Sequence, residues 1–158
     1  MPETRTDVII SGAGPNGLML ACELALAGVQ PVVLEKLSGP TNEQRANGII
    51  GQAVRLLDMR GLYREGHSPD LLGSGERPTP LPRFIFSGMG LDFTQLSANP
   101  MYGMGIAQPT FVRLLVGRAE ELGVDIRWGH ALADLHDHGE AVTVAVAGPD
   151  GPYEVAAR

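Results

Sequence analysis

The chain has 158 residues, enough for one domain with a real core and too few for two large ones. Its 44% hydrophobic and 19% charged content are those of a folded globular protein, not a disordered one. The formal net charge of −6 gives no electrostatic reason to expect nucleic acid or an anionic membrane surface as partner. The one cysteine, Cys22, sits among apolar neighbours and reads as a small buried hydrophobe. Met1 to Asp7 do not read as a secretory signal. The longest apolar stretch, Gly17 to Val29, is interrupted by Glu23 and falls short of a membrane span. A reducing cytoplasm is the expected location.

In chain order, Asp7-Val8-Ile9-Ile10-Ser11 is a β-branched run suited to a buried parallel strand. The glycine-rich turn Gly12-Ala13-Gly14 follows, and Pro15 suits the first turn of a helix, where its missing N–H costs nothing. Leu18, Ala21, Ala25 and Gly28 share one face of that helix, and Gly28 can end it. Pro31-Val32-Val33-Leu34 predicts a second buried strand closing with Glu35, and Ser38 to Asn42 a loop. A second helix is expected from about Gln52 to Arg60, stopped by Gly61. Residues 66–82 carry too many glycines and prolines for regular structure. Arg83-Phe84-Ile85-Phe86 and Gly90-Leu91-Asp92-Phe93 predict two strands around Ser87-Gly88-Met89. Another helix is expected from about Pro109 to Leu122, ended by Gly123, with Arg118 on its apolar face and able to snorkel. Strands are expected over Val124–Trp128, Ala141–Ala147 and Tyr153–Ala157, the last two turning through Gly148 to Pro152. His136 and His138, flanking Asp137 before Gly139, read as an exposed turn and not as metal ligands.

Gly12-Ala13-Gly14-Pro15-Asn16-Gly17 carries the strongest chemical signal. The G-x-G-x-x-G spacing gains weight here because a strand precedes it, a helix opens on it and an acid closes the next strand. Gly12 permits a tight turn, Gly14 permits close approach of a pyrophosphate, and Gly17 permits close helix–strand packing. The helix N-terminus offers a partial charge of roughly +0.5 to that diphosphate. Glu35 lies near the spacing of about twenty residues expected for the acid that binds a ribose hydroxyl. Its carboxylate would repel a 2′-phosphate at this site, but Glu35 alone does not separate NAD from FAD.

The segment from Asp7 to Leu18, together with Val33-Leu34-Glu35-Lys36, resembles the start of the para-hydroxybenzoate hydroxylase-like flavoprotein monooxygenases. Arg45-Ala46-Asn47-Gly48 is similar to that family's arginine segment, which meets the flavin nucleotide. Met104 to Thr110, followed by Leu114-Leu115, is similar to its next landmark, a glutamine opening a helix beside the ribityl chain. Gly148-Pro149-Asp150-Gly151 resembles a hairpin of the subset acting on polycyclic aromatic substrates, the polyketide and antibiotic hydroxylases. With Pro109 as first helical residue, Gln108 would fall at the N-cap.

The resemblance implies an α/β fold: a Rossmann-like βαβ FAD-binding domain with a β-meander. A short strand excursion would reach towards a substrate domain that is mostly absent. Residues 1–75 would form the first part of the FAD-binding domain, 76–104 the excursion, and 105–158 its second part. FAD would be held by Gly12, Ala13, Gly14, Pro15, Asn16, Gly17, Glu35, Lys36, Arg45, Ala46, Gln108 and Leu132. NADPH or NADH would act as transient reductant, and molecular oxygen and a phenolic or polycyclic aromatic molecule would be the other reactants. Phe84, Phe86, Met89, Phe93, Met101 and Met104 would either help wall the substrate pocket or serve as ordinary core. The chain reads as the front portion of a longer enzyme, ending before the family's second flavin-binding segment and leaving a parallel sheet edge to pair. A homo-oligomer or a complementing C-terminal segment would meet that need. The competing readings are an NAD-dependent dehydrogenase and a non-catalytic nucleotide-binding or interaction fragment. No catalytic residue stands out.

Overall fold

The computed structural model describes residues 4–66 and 77–158, so most of the expected breaker-rich stretch at 66–82 lies outside the described residues. Two units emerge from the chain's internal contacts, residues 1–42 with 115–158, and residues 43–114.

The first unit is built on three parallel strands in the order β2-β3-β8, with β2 spanning Val8–Ser11, β3 Pro31–Glu35 and β8 Asp125–Trp128. Helix α1, Pro15–Leu26, connects β2 to β3, the crossover that two parallel strands require. β3 is central and nearly all apolar: Pro31 to Leu34 are buried. Its alternation sends Val32 and Leu34 to one face, where they join Val144, Val146 and Val155 in a core flanked by Ile9, Leu132 and Tyr153. Each such aliphatic side chain contributes about 1.5–3 kcal/mol when fully buried. α1 packs against β3 and buries Leu18, Ala21 and Cys22. The Cys22 thiol donates to the Leu115 carbonyl at 3.9 Å, and burial raises its pKa.

The face bearing Val32 and Leu34 is covered by a second sheet in the order β1-β11-β10-β9. β9 spans Ala131–Asp137, β10 Val142–Gly148 and β11 Gly151–Ala157, an antiparallel meander. β1, Thr4–Thr6, adds to it parallel to β11. Two of these strands depart from expectation. β1 carries no apolar alternation. In β9 the residues around Asp137 suggest a turn, yet His136 and Asp137 complete the strand and the turn begins after them. Its Ala, Leu, Asp and His are poor strand formers, and the ladder to β10 overrides that preference.

In the second unit β4, Gly48–Ile50, pairs antiparallel with β7, Gly103–Gly105. Helices α2, Gln52–Met59, and α3, Leu62–Gly66, follow β4, so Gly66 belongs to a helix and not to the irregular stretch. A Cβ at residue 66 would lie 2.8 Å from the ends of the Ile106 and Leu114 side chains, which would have to shift to admit it. β5, Arg83–Phe86, and β6, Met89–Asp92, form a hairpin one residue off expectation: Met89, expected in the turn, pairs with Phe86, and Phe93 lies beyond the strand. Ser87 and Gly88 turn with φ of 49° and 82°, the paired positive values of a type I′ turn. Phe84 opposes Leu91 and Phe86 opposes Met89, so one hairpin face is wholly apolar, and Phe86 and Met89 are each 61% exposed. α4, Gln108–Glu121, begins one residue before expectation. The Ala107 carbonyl accepts the Phe111 N–H, so Ala107 occupies the capping position and Gln108 is the first helical residue. Among the described residues no helix is long and apolar enough to cross a membrane.

Candidate functional site

The glycine turn between β2 and α1 has the backbone that the residue pattern requires. Gly12 has φ of +106°, a value that side chains resist, and its N–H donates to the Leu34 carbonyl at 2.7 Å. A Cβ on Gly17 would lie 2.0 Å from the Gly12 carbonyl oxygen, so α1 can approach the end of β2 only because residue 17 has no side chain. Gly14 differs from both. Its φ of −78° suits any residue, and a Cβ there would meet no atom within 4 Å. Among the described residues, the space that a side chain at Gly14 would enter is open.

Gly14 is the N-cap of α1, no side chain caps the helix, and its first turn holds no acid. Among the described residues no side chain caps the backbone N–H groups that open the helix, the arrangement that receives a phosphate.

Glu35 ends β3 beside this turn. Its Oε2 accepts the Ala13 N–H at 2.8 Å and its Oε1 accepts the Leu37 N–H at 2.9 Å. The carboxylate is thus fixed in orientation by the glycine turn itself. Each oxygen keeps a second lone pair, so two hydroxyls of a ribose remain within its accepting capacity.

A cleft of about 270 Å³ opens at the carboxyl ends of β2 and β3, lined by Ser11, Gly12, Leu34, Glu35, Lys36, His130, Ala131 and Leu132. In open parallel sheets ligands bind outside the carboxyl ends of the strands. Of the predicted site residues, Gly12, Glu35, Lys36 and Leu132 come together here. Ala13 joins them through its bond to Glu35, and Gly14 to Gly17 continue directly into α1.

Sequence reasoning missed His130 and Ala131. The turn before β9 is tied to the end of β3, the His130 N–H donating to the Glu35 carbonyl at 2.8 Å and the Gly129 N–H to the Leu37 carbonyl at 2.8 Å. Next to it, Arg127 bonds Asp125 Oδ2 at 2.8 Å through Nη2 and the Tyr153 hydroxyl at 3.2 Å through Nη1. Burial opposes the Arg127 charge, but these bonds outweigh it and raise the pKa. A histidine with no partner at motif spacing leaves no mark in a sequence.

The remaining predicted residues, Arg45, Ala46 and Gln108, lie in the second unit. The Ala46 carbonyl accepts the Gln108 N–H at 3.0 Å, and the Asn47 carbonyl accepts the Ile106 N–H at 3.2 Å. Gly48 then pairs with Gly105, and a Cβ on Gly48 would lie 2.9 Å from the Met104 carbonyl oxygen. The two segments, distant in sequence, are therefore zipped side by side. Arg45 is 70% exposed in its side chain and paired with Glu43 at 2.8 Å, a contact that raises its pKa.

An uncapped helix start, open space at Gly14, an oriented carboxylate and a cleft with apolar walls suit the adenosine diphosphate half of FAD. Comparison with known proteins bears on the family. The chain is 44% identical over 153 residues to the 12-dehydrotetracycline 5-monooxygenase/anhydrotetracycline 6-monooxygenase of Streptomyces rimosus, a match covering 96% of the chain and 29% of that protein. Its fold superposes with a TM-score of 0.81 on the OxyS anhydrotetracycline hydroxylase from Streptomyces rimosus, at 42% identity, covering 98% of the chain and 30% of that structure. It also superposes with a TM-score of 0.76 on aklavinone-11 hydroxylase, solved with FAD and aklavinone, at 26% identity, covering 99% of the chain and 32% of that structure. The chain thus spans about a third of the length of the proteins it matches. With residues 5–158 matched to it, the chain belongs to the FAD binding domain family.

Proposed function

We propose that this chain is the FAD-binding portion of an NAD(P)H-dependent, cytoplasmic flavoprotein monooxygenase that hydroxylates a phenolic or polycyclic aromatic substrate. The observation that carries the reading is the Glu35 carboxylate, held by the Ala13 N–H at the mouth of α1 and facing the cleft. In this reading the N–H groups at the start of α1 take the diphosphate and Glu35 takes the ribose diol. Leu34, Ala131 and Leu132 provide apolar walls for the base. Arg45, Ala46 and Gln108 serve the flavin end, and the zipped segments that carry them keep the arginine and the glutamine in fixed register.

Bound flavin supplies the redox chemistry with reduced nicotinamide and oxygen; the protein's share is to bind, orient and exclude water. The apolar hairpin face of Phe84, Phe86, Met89 and Leu91 fits a wall against a flat aromatic substrate. The names of the similar proteins, which act on anhydrotetracycline and aklavinone, support a polycyclic substrate.

The test is to purify the complete protein, record its flavin spectrum, and follow flavin bleaching on addition of NADPH or NADH with and without candidate polycyclic phenols. Stoichiometric FAD and substrate-stimulated reduction are expected. Tight NAD binding with no flavin retained after reconstitution would favour a dehydrogenase instead.

A further inference from the structure

We infer that His130 forms the wall against which the adenine of the bound dinucleotide rests, and that Gly148 exists to give its ring that position. The inference builds on the assignment of the cleft to adenosine. Among the described residues that line the cleft, His130 is the one with a ring, and it stands in the same cleft as Glu35. With the ribose diol on Glu35, the base must extend along the cleft, and a flat π-system gains most from a flat ring beside it.

The ring is held from three sides. Its Nδ1 lies 2.9 Å from the Trp128 carbonyl oxygen, so Nδ1 carries the proton and donates. The Tyr153 ring meets it edge-on at 5.7 Å between centroids and 80° between planes. Tyr153 is in turn tied to Arg127, and through it to Asp125. On the third side lies Gly148, where a Cβ would fall 2.8 Å from His130 Cδ2 and 3.1 Å from Nε2. Gly148 shows no positive φ, so its lack of a side chain answers to the imidazole, and to Tyr153 Cε1 3.2 Å from the same Cβ, and not to backbone strain. A surface histidine of no consequence would not be locked this way over a cleft.

The experiment measures dissociation constants of FAD and of FMN, which lacks the adenosine, together with melting temperatures. Wild type, His130→Ala, His130→Phe, Gly148→Ala, the His130→Ala/Gly148→Ala double variant and Glu35→Ala are compared as complete proteins. His130→Ala is expected to weaken FAD about tenfold and leave FMN affinity unchanged, with at most a small fall in melting temperature from the lost Trp128 and Tyr153 contacts. His130→Phe, which keeps a flat ring, should recover most of the loss. Gly148→Ala should weaken FAD alone and add little in the His130→Ala background, where only the Tyr153 Cε1 contact at 3.2 Å remains.

FAD affinity unchanged in His130→Ala but lost in Glu35→Ala would overturn this inference and leave the cleft assignment standing. Unchanged affinity in both would overturn the two together. Equal loss of FAD and FMN, or a His130→Phe variant as weak as His130→Ala, would also overturn it.

Discussion

Gly14 and Gly17 lie three residues apart in one motif, yet the structure separates their roles. An alanine at Gly17 would improve helix propensity by about 1 kcal/mol. Against that, its Cβ would sit 2.0 Å from the Gly12 carbonyl oxygen, at least 1.0 Å inside the 3.0 Å that such contacts respect. The obstacle is backbone at a turn already fixed by the bond from Gly12 to Leu34, so α1 must move. Overpacking costs about 1–3 kcal/mol, and a rigid obstacle places this case at the upper end. The net loss is about 2 kcal/mol, a fall of about 4–8 °C in melting temperature for a domain of this size. Gly14→Val should behave in the opposite way. Its φ of −78° and open surroundings accept a side chain, so the melting temperature should fall less than in Gly17→Ala, by no more than a poorer N-cap costs, while valine methyl groups occupy the diphosphate's approach. FAD affinity should then fall about thirtyfold, equivalent to about 2 kcal/mol. Thermal unfolding by circular dichroism and FAD titration by fluorescence read both variants. A Gly17→Ala protein as stable as wild type, or a Gly14→Val protein that binds FAD normally, would refute the reasoning.

Other expectations follow from single contacts. Glu35→Ala removes the acceptor of the Ala13 and Leu37 N–H groups as well as the ribose partner, so FAD affinity should drop at least about tenfold in a titration, with a loss of about 1–2 kcal/mol in stability. Glu35→Gln should be intermediate, since one oxygen survives while its NH₂ must face an N–H donor. Burial raises the Cys22 pKa, so the folded protein favours the neutral thiol. The stability from that preference is complete below the unfolded thiol's pKa and declines as pH rises through the folded value. Ellman's reagent should therefore find Cys22 unreactive near neutral pH until the chain is unfolded. Ser87→Asn should stabilise the β5–β6 hairpin by about 0.5 kcal/mol, because asparagine tolerates the positive φ of 49° better than serine, and differential scanning calorimetry can detect it.

The βαβ unit could be read in the sequence because its constraints are local. Three glycines, a proline at the helix start and a β-branched run each have one physical use at that spacing. Helix ends at Gly61 and Gly123 were legible for the same reason, both having positive φ in the structure. β4, β7 and β9 were not. Gly103-Met104-Gly105 and Ala131 to Asp137 have no strand character of their own and become strands through partners at Gly48–Ile50 and Val142–Ala147. The site divides along the same line. The turn and its acid show in the residues, whereas Leu132 came only through family likeness. His130 required the fold, because what gives it meaning is a carbonyl two residues back, a ring on β11 and a glycine on β10.

The most direct measurement is a crystal structure of the complete protein with FAD. The diphosphate is predicted against the N–H groups that open α1 beside Gly14, with both ribose hydroxyls on the Glu35 carboxylate. A diphosphate bound elsewhere, or a Glu35 side chain turned away from the sugar, would contradict the account.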